Sequence, residues 1–216
     1  MPLHIHCNNE EMRLAFWLIS EPESFFLERT GFVDPENLKR YKHPQVRLQW
    51  LASRLLLFQL LGEDLYKTLK KDDKGKPFSE GNSIEISISH SGNLVAVAVS
   101  FKNIGIDIQE FTPKLVKIAA KFVKASLLSL IEKNEFFSEA VHVHWGVKEA
   151  LFKAYGSGNL DYKENLFLEW NSHYNIEGEA FIAYVNKSVA ETYAYRATYE
   201  KVFENFLLCT VTKTSV

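Results

Sequence analysis

The order of strand, long helix and hairpin occurs twice along this chain, and it constrains the fold more than any other feature. In the first half, MRLAFWLIS (12–20) reads as a strand, and 34–62 reads as a helix with Pro35 in its first turn and a glycine at its end. The polar stretch KKDDKGKPFSEGNS then reads as a loop. In ISISHSGNLVAVAVS, isoleucines alternate with serines before SGN, which predicts a β-hairpin.

The second half of the chain repeats this order. NIGIDIQEF alternates isoleucines with other residues and predicts a strand. Helices are expected over 113–133 and 138–155, followed by strands in LFLEW, EAFIAYV, ETYAYRATYE and NFLLCTVTK. The sequence therefore predicts an α+β fold of two similar subdomains, residues 1–102 and 103–216, each a small and mainly antiparallel sheet packed on helices.

Composition narrows the class of protein. The 216 residues are 46% apolar and 24% charged, which is enough apolar material for a sizeable core. A net charge of −2 gives no overall basic surface for nucleic acid. Cys7 and Cys209 are too few for a disulfide framework. Neither a secretory signal nor an apolar run of about 18 residues is visible, so a cytoplasmic protein without a membrane span is expected.

The stretch LKRYKHPQVRLQWLASR (38–54) is strongly basic in a chain that is acidic overall. It contains two lysines and three arginines and no acidic residue. Guanidinium groups bind phosphate through paired hydrogen bonds, so a multiply charged anion is one expected partner. A solvated basic helix face is the alternative interpretation.

Polar groups at two turns are further candidates for binding. Lys76 lies at the tip of a GKP turn, and Ser89 and His90 lie where the predicted hairpin turns. Ordinary loop and hairpin polarity would also explain them. A serine hydrolase is excluded, because G-x-S-x-G is absent and adjacent strand residues point to opposite faces.

A strand carboxylate and a helix carboxylate together suit Mg²⁺, which usually takes one or two protein carboxylates besides water and phosphate. Asp107 and Gln109 project to the same face of the predicted strand. In WGVKEALFKAYG (145–156), the side opposite the apolar stripe mixes aromatic and charged residues: Trp145, Glu149, Phe152 and Lys153. A surface glutamate–lysine pair at i,i+4 and an edge-strand aspartate are the simpler alternatives.

Taken in order, the basic stretch, GKP, SISHSG, GIDI and the W-x-x-K-E-A helix resemble the 4′-phosphopantetheinyl transferase family in its long, two-subdomain (Sfp-like) form. The resemblance covers roughly Lys39 to Leu160. It implies a pseudo-dimer fold and transfer of the phosphopantetheine arm of coenzyme A to a serine of an acyl or peptidyl carrier protein, with release of 3′,5′-ADP. The enzyme would be of the holo-acyl-carrier-protein synthase type and would need Mg²⁺.

The resemblance also implies a role for each matching residue. The metal ligands would be Asp107, Gln109 and Glu149, and the catalytic groups Asp107, Glu149 and Lys153. Coenzyme A would contact Arg47, Arg54, Lys76, Ser89, His90, Lys148 and Lys153. Gln109 and Leu127 stand where many long-form members have glutamate, which affects the third ligand and any base on the helix of Leu127.

Two other interpretations and several expectations about partners remain. The chain could be a non-catalytic homologue that binds coenzyme A or a carrier protein, or it could hold a metal on His4, His6 and Cys7. His142 and His144 lie about 200° apart on a helix and cannot share a metal. A monomer is expected, with no nucleic acid or membrane partner.

Overall fold

The computed structural model describes residues 3–9, 11–31, 35–133, 135–156, 158–169, 180–188 and 191–214. The chain forms two compact units, Met1–Lys102 and Asn103–Val216. Each unit is an antiparallel sheet packed on helices, which confirms the predicted α+β class. Within the described ranges, no helix has both the length and the hydropathy that crossing a lipid bilayer requires.

Unit 1 (Met1–Lys102) contains a six-stranded sheet and three helices among its described residues. In chain order its elements are β1 (Leu3–Asn8), β2 (Met12–Leu18), α1 (Glu23–Arg29), α2 (Pro35–Lys39), α3 (Pro44–Lys67), β3 (Leu69–Lys71), β4 (Pro77–Ser79), β5 (Glu85–Ser91) and β6 (Leu94–Ser100). The strand order is β1-β2-β6-β5-β4-β3. Its core joins aliphatic side chains of α3 to one face of β2, β5 and β6, which explains why isoleucine alternates with polar residues in β5.

Unit 2 (Asn103–Val216) has a five-stranded sheet in the order β7-β11-β10-β9-β8. In chain order its elements are β7 (Ile104–Glu110), α4 (Pro113–Lys117), a 3₁₀ turn (Ala119–Lys121), α5 (Ala125–Ile131), α6 (Phe137–Tyr155), β8 (Leu166–Leu168), β9 (Phe181–Ser188), β10 (Glu191–Val202) and β11 (Phe206–Lys213). Helix α6 packs on the sheet through Val147, Leu151 and Ala154, the apolar stripe that its sequence predicts.

The two sheets share one strand order. The order β2-β6-β5-β4-β3 in unit 1 corresponds, strand by strand, to β7-β11-β10-β9-β8 in unit 2. Strand β1 is an additional strand at the edge of the sheet of unit 1. The longest helix also has the same place in each unit: α3 directly precedes β3 and β4, and α6 directly precedes β8 and β9. The repeat seen in the sequence therefore extends to strand pairing.

The predicted helix over 34–62 is wrong in its bounds. Two helices, α2 and α3, occupy this region, and His43 between them is extended (φ −80°, ψ 126°) because the α conformation is disfavoured before Pro44. Gly62 does not end the helix. It takes a positive φ of 75° and produces a kink, after which α3 continues to Lys67. Asp34, where the predicted helix begins, lies outside the described residues.

Two further predictions about secondary structure need correction. The polar stretch read as a loop contains the β3–β4 hairpin, where the Asp72 carboxylate accepts hydrogen bonds from the backbone N–H of Lys74 and Lys76. The helix expected over 113–133 is broken into α4, a 3₁₀ turn and α5, with Lys124 extended before α5. The short helix α1 was not expected.

Gly105 is where strand β7 and helix α6 come closest. A Cβ atom at this position would lie 1.9 Å from the Ala150 carbonyl oxygen and 2.9 Å from the Ala154 nitrogen, both backbone atoms of α6. Only a residue without a side chain allows this approach. The approach brings the helix-facing side of β7, which also carries Asp107, directly against α6.

Candidate functional site

The carboxylate of Asp107 lies buried between β7 and α6, with 6% of the residue exposed. Its Oδ1 accepts a hydrogen bond of 2.7 Å from Lys153 Nζ, which also donates to the Ile106 carbonyl oxygen at 3.0 Å. The alternation of β7 directs Asp107 toward α6, and the helix supplies Lys153 from its last turn. The predicted neighbours Asp107 and Lys153 therefore form a direct ion pair.

Glu149 joins this pair from one turn earlier on α6. Burial raises the pKa of its carboxyl group, and repulsion from Asp107 raises it further, whereas Lys153 and a hydrogen bond from the Tyr162 hydroxyl act in the opposite direction. Two carboxylates and one ammonium thus share a partly enclosed space. Such an arrangement attracts a further cation, because the two negative charges exceed the single positive one.

The aromatic residues on this side of α6 pack around Tyr162, which follows the helix in a turn. The Tyr162 ring stacks on Trp145 (centroids 5.5 Å apart, planes at 25°) and on Phe152 (5.6 Å, 29°). Trp145 also meets Phe122 edge-to-face at 5.0 Å. The aromatic residues beside Glu149 and Lys153 are therefore covered by residues of their own unit.

Lys148, expected to contact coenzyme A, is buried in unit 2 with 4% of the residue exposed. Its Nζ donates hydrogen bonds of 2.6 Å to the carbonyl oxygens of Phe122 and Tyr162. Burial, and then repulsion from Lys124, lowers the pKa of its ammonium to about 8. The structure therefore uses Lys148 to anchor two backbone segments to α6, and its contact with coenzyme A stays a prediction.

The third predicted metal ligand, Gln109, is half-buried near the end of β7, and its Nε2 donates to the Glu110 carbonyl oxygen at 3.0 Å. Leu127, which stands where the resemblance would place a glutamate, packs against the apolar cluster of α4, α5 and α6. Within the ranges that the structure describes, no three or more histidine, cysteine, aspartate or glutamate side chains form a metal-binding group. The acidic part of the candidate site is thus a pair, Asp107 and Glu149.

The floor beneath Asp107 is formed by Gly146 and Cys209. Cys209 is the cross-strand neighbour of Asp107 on β11, is fully buried, and has a thiol pKa raised by that burial. A Cβ atom at Gly146 would lie 2.6 Å from Cys209 Sγ and 3.7 Å from Asp107 Oδ2. The sulfur therefore fills the space that any side chain at position 146 would need.

Gly146→Ala should reduce the free energy of unfolding by about 1–3 kcal/mol, because the added methyl overpacks the contact with the Cys209 sulfur. Cys209→Ala in the same chain removes that sulfur and should recover part of the loss. A double-mutant cycle in urea measures the coupling between the two positions, expected at about 0.5 kcal/mol or more. Strictly additive effects would contradict this account of the contact.

In unit 1, Arg47 is already paired. Its Nε donates to Glu23 Oε2 at 3.0 Å, and its Nη2 donates to the other oxygen of the same carboxylate. This hydrogen-bonded pairing lowers the pKa of Glu23. Arg47 therefore connects α3 to α1.

Arg54 lies in a cavity of about 400 Å³ on unit 1. The lining residues are basic, aromatic or neutral: Asn37, Arg40, Tyr41, Trp50, Arg54, Tyr66, Leu69, Lys70, Lys71 and Pro77. Burial lowers the pKa of Arg54, and the pKa of Lys71 is lowered by burial and then by the nearby Arg54 and Arg40. Cations that are held together against their mutual repulsion make an anion-binding cavity.

The GKP and SHS motifs occupy different places in unit 1. Lys76 pairs with Glu85 across the β4–β5 region at 2.9 Å, and Pro77 beside it lines the cavity of Arg54. Ser89 is buried (4% exposed), whereas His90 is exposed at the end of β5. The hairpin itself forms as predicted, with Ser91 paired to Leu94 and a positive φ at Gly92.

The histidine-based alternative gains no support from the structure. His4 and His6 are exposed on β1, where the pairing with β2 is irregular between Ile5 and Cys7. Neither there nor elsewhere in the described ranges do three or more histidine, cysteine, aspartate or glutamate side chains come together as a metal site. His142 accepts from the Thr112 N–H and contacts the Ser138 carbonyl, and His144 is fully buried with a pKa lowered to about 3 by burial.

Comparison with known proteins decides the family. The sequence profile described as the 4′-phosphopantetheinyl transferase superfamily matches residues 103–211, about half of the chain. The chain belongs to this superfamily. The match covers β7, α6 and most of β11, and therefore contains Asp107, Glu149 and Lys153.

Individual relatives extend this similarity beyond unit 2. The chain is 28% identical to the 4′-phosphopantetheinyl transferase Sfp of Bacillus subtilis over 140 residues, 59% of this chain and 62% of Sfp. It is 36% identical to the 4′-phosphopantetheinyl transferase psf-1 of Bacillus pumilus over 90 residues, 40% of this chain and 39% of that protein. A Haemophilus influenzae protein that is provisionally named for the same activity is 27% identical over 158 residues, 66% of this chain and 64% of the relative. The chain thus spans less than two thirds of each of these transferases.

Three features of this superfamily member were missed by reasoning from sequence. Tyr162 lies in a turn with no recognisable motif, and its contact with Glu149 depends on how the chain returns after α6. The contact between Gly146 and Cys209 joins positions 63 residues apart. The aromatic lining of the Arg54 cavity could have been suspected from the sequence, although weakly, because Tyr41 and Trp50 lie within the basic stretch 38–54.

Proposed function

We propose that this superfamily member transfers the 4′-phosphopantetheine arm of coenzyme A to a serine of an acyl or peptidyl carrier protein, with release of 3′,5′-ADP. The observation that carries the proposal is the cluster of Asp107, Glu149 and Lys153 on β7 and α6. Relatives named as 4′-phosphopantetheinyl transferases support the same reaction. We place the enzyme in the holo-acyl-carrier-protein synthase type, as a monomer in the cytoplasm, where free Cys7 and Cys209 stay reduced.

The chemistry of Asp107 and Glu149 fits a Mg²⁺ ion. Mg²⁺ prefers oxygen ligands and binds through one or two carboxylates besides water and phosphate. Burial and mutual repulsion raise the pKa of Glu149, and a bound cation would relieve that repulsion. Gln109, whose amide nitrogen is engaged by Glu110, would contribute its oxygen directly or through water. When bound, the ion would neutralise charge on phosphate oxygens.

The residues of unit 2 have separate tasks in the proposed reaction. A bond forms between the carrier serine Oγ and the β-phosphorus, and the bond from that phosphorus to the bridging oxygen breaks, so 3′,5′-ADP leaves with the electron pair. Glu149 accepts the serine proton, and its raised pKa makes it a better acceptor near neutral pH. The Lys153 ammonium offsets charge that develops on the phosphate oxygens.

We assign the nucleotide end of coenzyme A to the basic residues of unit 1. Arg54, Arg40 and Lys71 supply positive charge in one cavity, and Tyr41 and Trp50 supply aromatic surface for an adenine ring. Arg47 contributes less than the sequence suggests, because Glu23 already neutralises it. Lys76, Ser89 and His90 stay candidates for contacts to the same ligand.

Arg54→Gln and Arg40→Gln should each weaken coenzyme A binding about tenfold, the effect of losing a hydrogen bond between charged groups. The loss should be smaller for dephospho-coenzyme A, which lacks the 3′-phosphate, and binding of coenzyme A should weaken as salt increases. Arg29→Gln is the matched control, because Arg29 lies on α1 over the Phe25 ring. Calorimetry at two ionic strengths gives the affinities. Equal losses for both ligands would contradict a 3′-phosphate site.

Intact-mass measurement tests the reaction directly. Apo carrier proteins from fatty-acid, polyketide and peptide synthesis would be incubated with the enzyme, coenzyme A and Mg²⁺. A gain of one phosphopantetheine mass on at least one carrier is the expected result. Coenzyme A binding without any mass gain would instead identify a non-catalytic homologue, an outcome that the neutral Gln109 would help to explain.

A further inference from the structure

Tyr162 is fixed in place by three independent contacts to α6. Its ring is stacked on Trp145 and Phe152, both on α6, at centroid distances of 5.5 and 5.6 Å. Its carbonyl oxygen accepts a hydrogen bond of 2.6 Å from the buried Nζ of Lys148. Because Trp145 and Phe152 flank Glu149 on α6, the stacked ring lies beside Glu149, and its hydroxyl is the hydrogen-bond donor to that carboxylate.

These contacts exceed what the turn itself requires. A turn after a helix is stabilised by its own backbone hydrogen bonds, and here Asp161 Oδ1 accepts from the N–H groups of Lys163 and Glu164. The ring of Tyr162 adds a rigid apolar anchor, and a phenol held at its ring and at its backbone loses little further freedom when its hydroxyl binds. The hydroxyl is thus a preorganised hydrogen-bond donor directed at one carboxylate.

Glu149 needs such a donor. A glutamate side chain has three rotatable bonds, so its carboxylate keeps one position only when another group holds it there. Lys153 Nζ hydrogen-bonds directly to Asp107 Oδ1 at 2.7 Å and acts on Glu149 through its charge. Tyr162 therefore donates a hydrogen bond to Glu149, as Lys153 does to Asp107.

We propose that Tyr162 is a positioning residue that holds the Glu149 carboxylate beside Asp107, so that both carboxylates bind one divalent cation. This inference rests on the proposed function. Trp145, Phe152 and Lys148 act through Tyr162, since they determine where its hydroxyl lies. The aromatic and charged residues on this side of α6 then act together: Trp145 and Phe152 fix Tyr162, and Tyr162 fixes Glu149.

Tyr162→Phe tests the inference because it keeps the stacked ring and removes only the hydroxyl. Mn²⁺ would be titrated into the protein with coenzyme A present and no carrier protein, and free Mn²⁺ would be followed by electron paramagnetic resonance. We expect about tenfold weaker Mn²⁺ binding, the effect of losing a hydrogen bond to a charged group. In transfer assays kcat should fall at fixed metal, the KM for coenzyme A should stay unchanged, and excess Mg²⁺ should restore part of the rate.

Tyr184→Phe is the matched control, because the Tyr184 hydroxyl donates to Glu169 at 2.6 Å on the exposed side of the same unit. This variant should bind Mn²⁺ like the wild type. A Tyr162→Phe variant with wild-type Mn²⁺ affinity and wild-type kcat would overturn the inference. A Tyr162→Phe variant that thermal unfolding shows to be unfolded would also overturn it, because the hydroxyl would then be needed for the fold. If wild-type protein modifies no carrier, the proposed function fails, whereas the Mn²⁺ titration still decides the role of Tyr162.

Discussion

If Asp107 and Glu149 hold the proposed Mg²⁺ ion, Asp107→Asn and Glu149→Gln should each reduce phosphopantetheine transfer at least about a hundredfold. Each variant would remove an anionic ligand from an ion that stabilises the transition state by several kcal/mol. The amides keep the size of the original side chains, so little repacking is expected. Asp107→Asn also leaves the Lys153 ammonium without its ion-pair partner at 2.7 Å. In the proposed reaction, Glu149→Gln further removes the group that accepts the serine proton.

Transfer would be measured by intact mass over time at saturating Mg²⁺, and the folded state would be checked by thermal unfolding. Glu139→Gln is the matched control, because Glu139 lies in the first turn of the same helix, and the distance of its pairing with Lys201 is long, at 3.9 Å. This control should keep wild-type turnover. A folded Asp107→Asn or Glu149→Gln variant that keeps more than about a tenth of wild-type turnover would refute the metal assignment.

Gly105→Ala should unfold unit 2 or cost more than about 3 kcal/mol, the upper end of overpacking effects. The added methyl would lie 1.9 Å from the Ala150 carbonyl oxygen, and a backbone atom in the middle of a packed helix cannot move aside alone. Helix α6 would have to shift as a body, which would disturb its packing on the sheet and the Lys153–Asp107 pair.

Gly158→Ala provides the comparison for this effect. A Cβ atom at Gly158 would have no heavy atom within 4 Å, so this variant should retain wild-type stability. Urea unfolding of both variants gives the free energies. A Gly105→Ala protein within about 1 kcal/mol of the wild type would mean that strand and helix can separate more easily than their backbone contact suggests.

The sequence predicted those elements whose pattern is local. Alternation identified β5 and β7, and helical spacing identified the stripe of Val147, Leu151 and Ala154, since burial on one face requires these periods. The resemblance placed Asp107 and Lys153 in one site but assigned Lys153 to coenzyme A, so their ion pair was not predicted. Local patterns thus gave much of unit 2.

Contacts between segments that are distant in sequence could not be predicted in the same way. Arg47 forms an ion pair with Glu23 on α1, a helix that the sequence pattern did not predict. Lys148 stands next to Glu149, yet its long side chain reaches the carbonyl oxygens of Phe122 and Tyr162. A flexible cation binds whichever acceptors the tertiary structure brings near, so its neighbours in sequence do not determine its role.

The shared strand order of the two units has a consequence for cooperativity. Where β7 presents Asp107 to its helix, β2 presents Ala15 and Trp17, and no acidic side chain is among the buried polar residues described in unit 1. Two equal copies of such a scaffold could hold two coupled ions and give a sigmoidal binding curve. In the part of the chain that the structure describes, the candidate carboxylate pair Asp107 and Glu149 occurs in unit 2 and has no buried counterpart in unit 1. Binding of a divalent cation should therefore follow a hyperbolic curve, with a Hill coefficient of about 1.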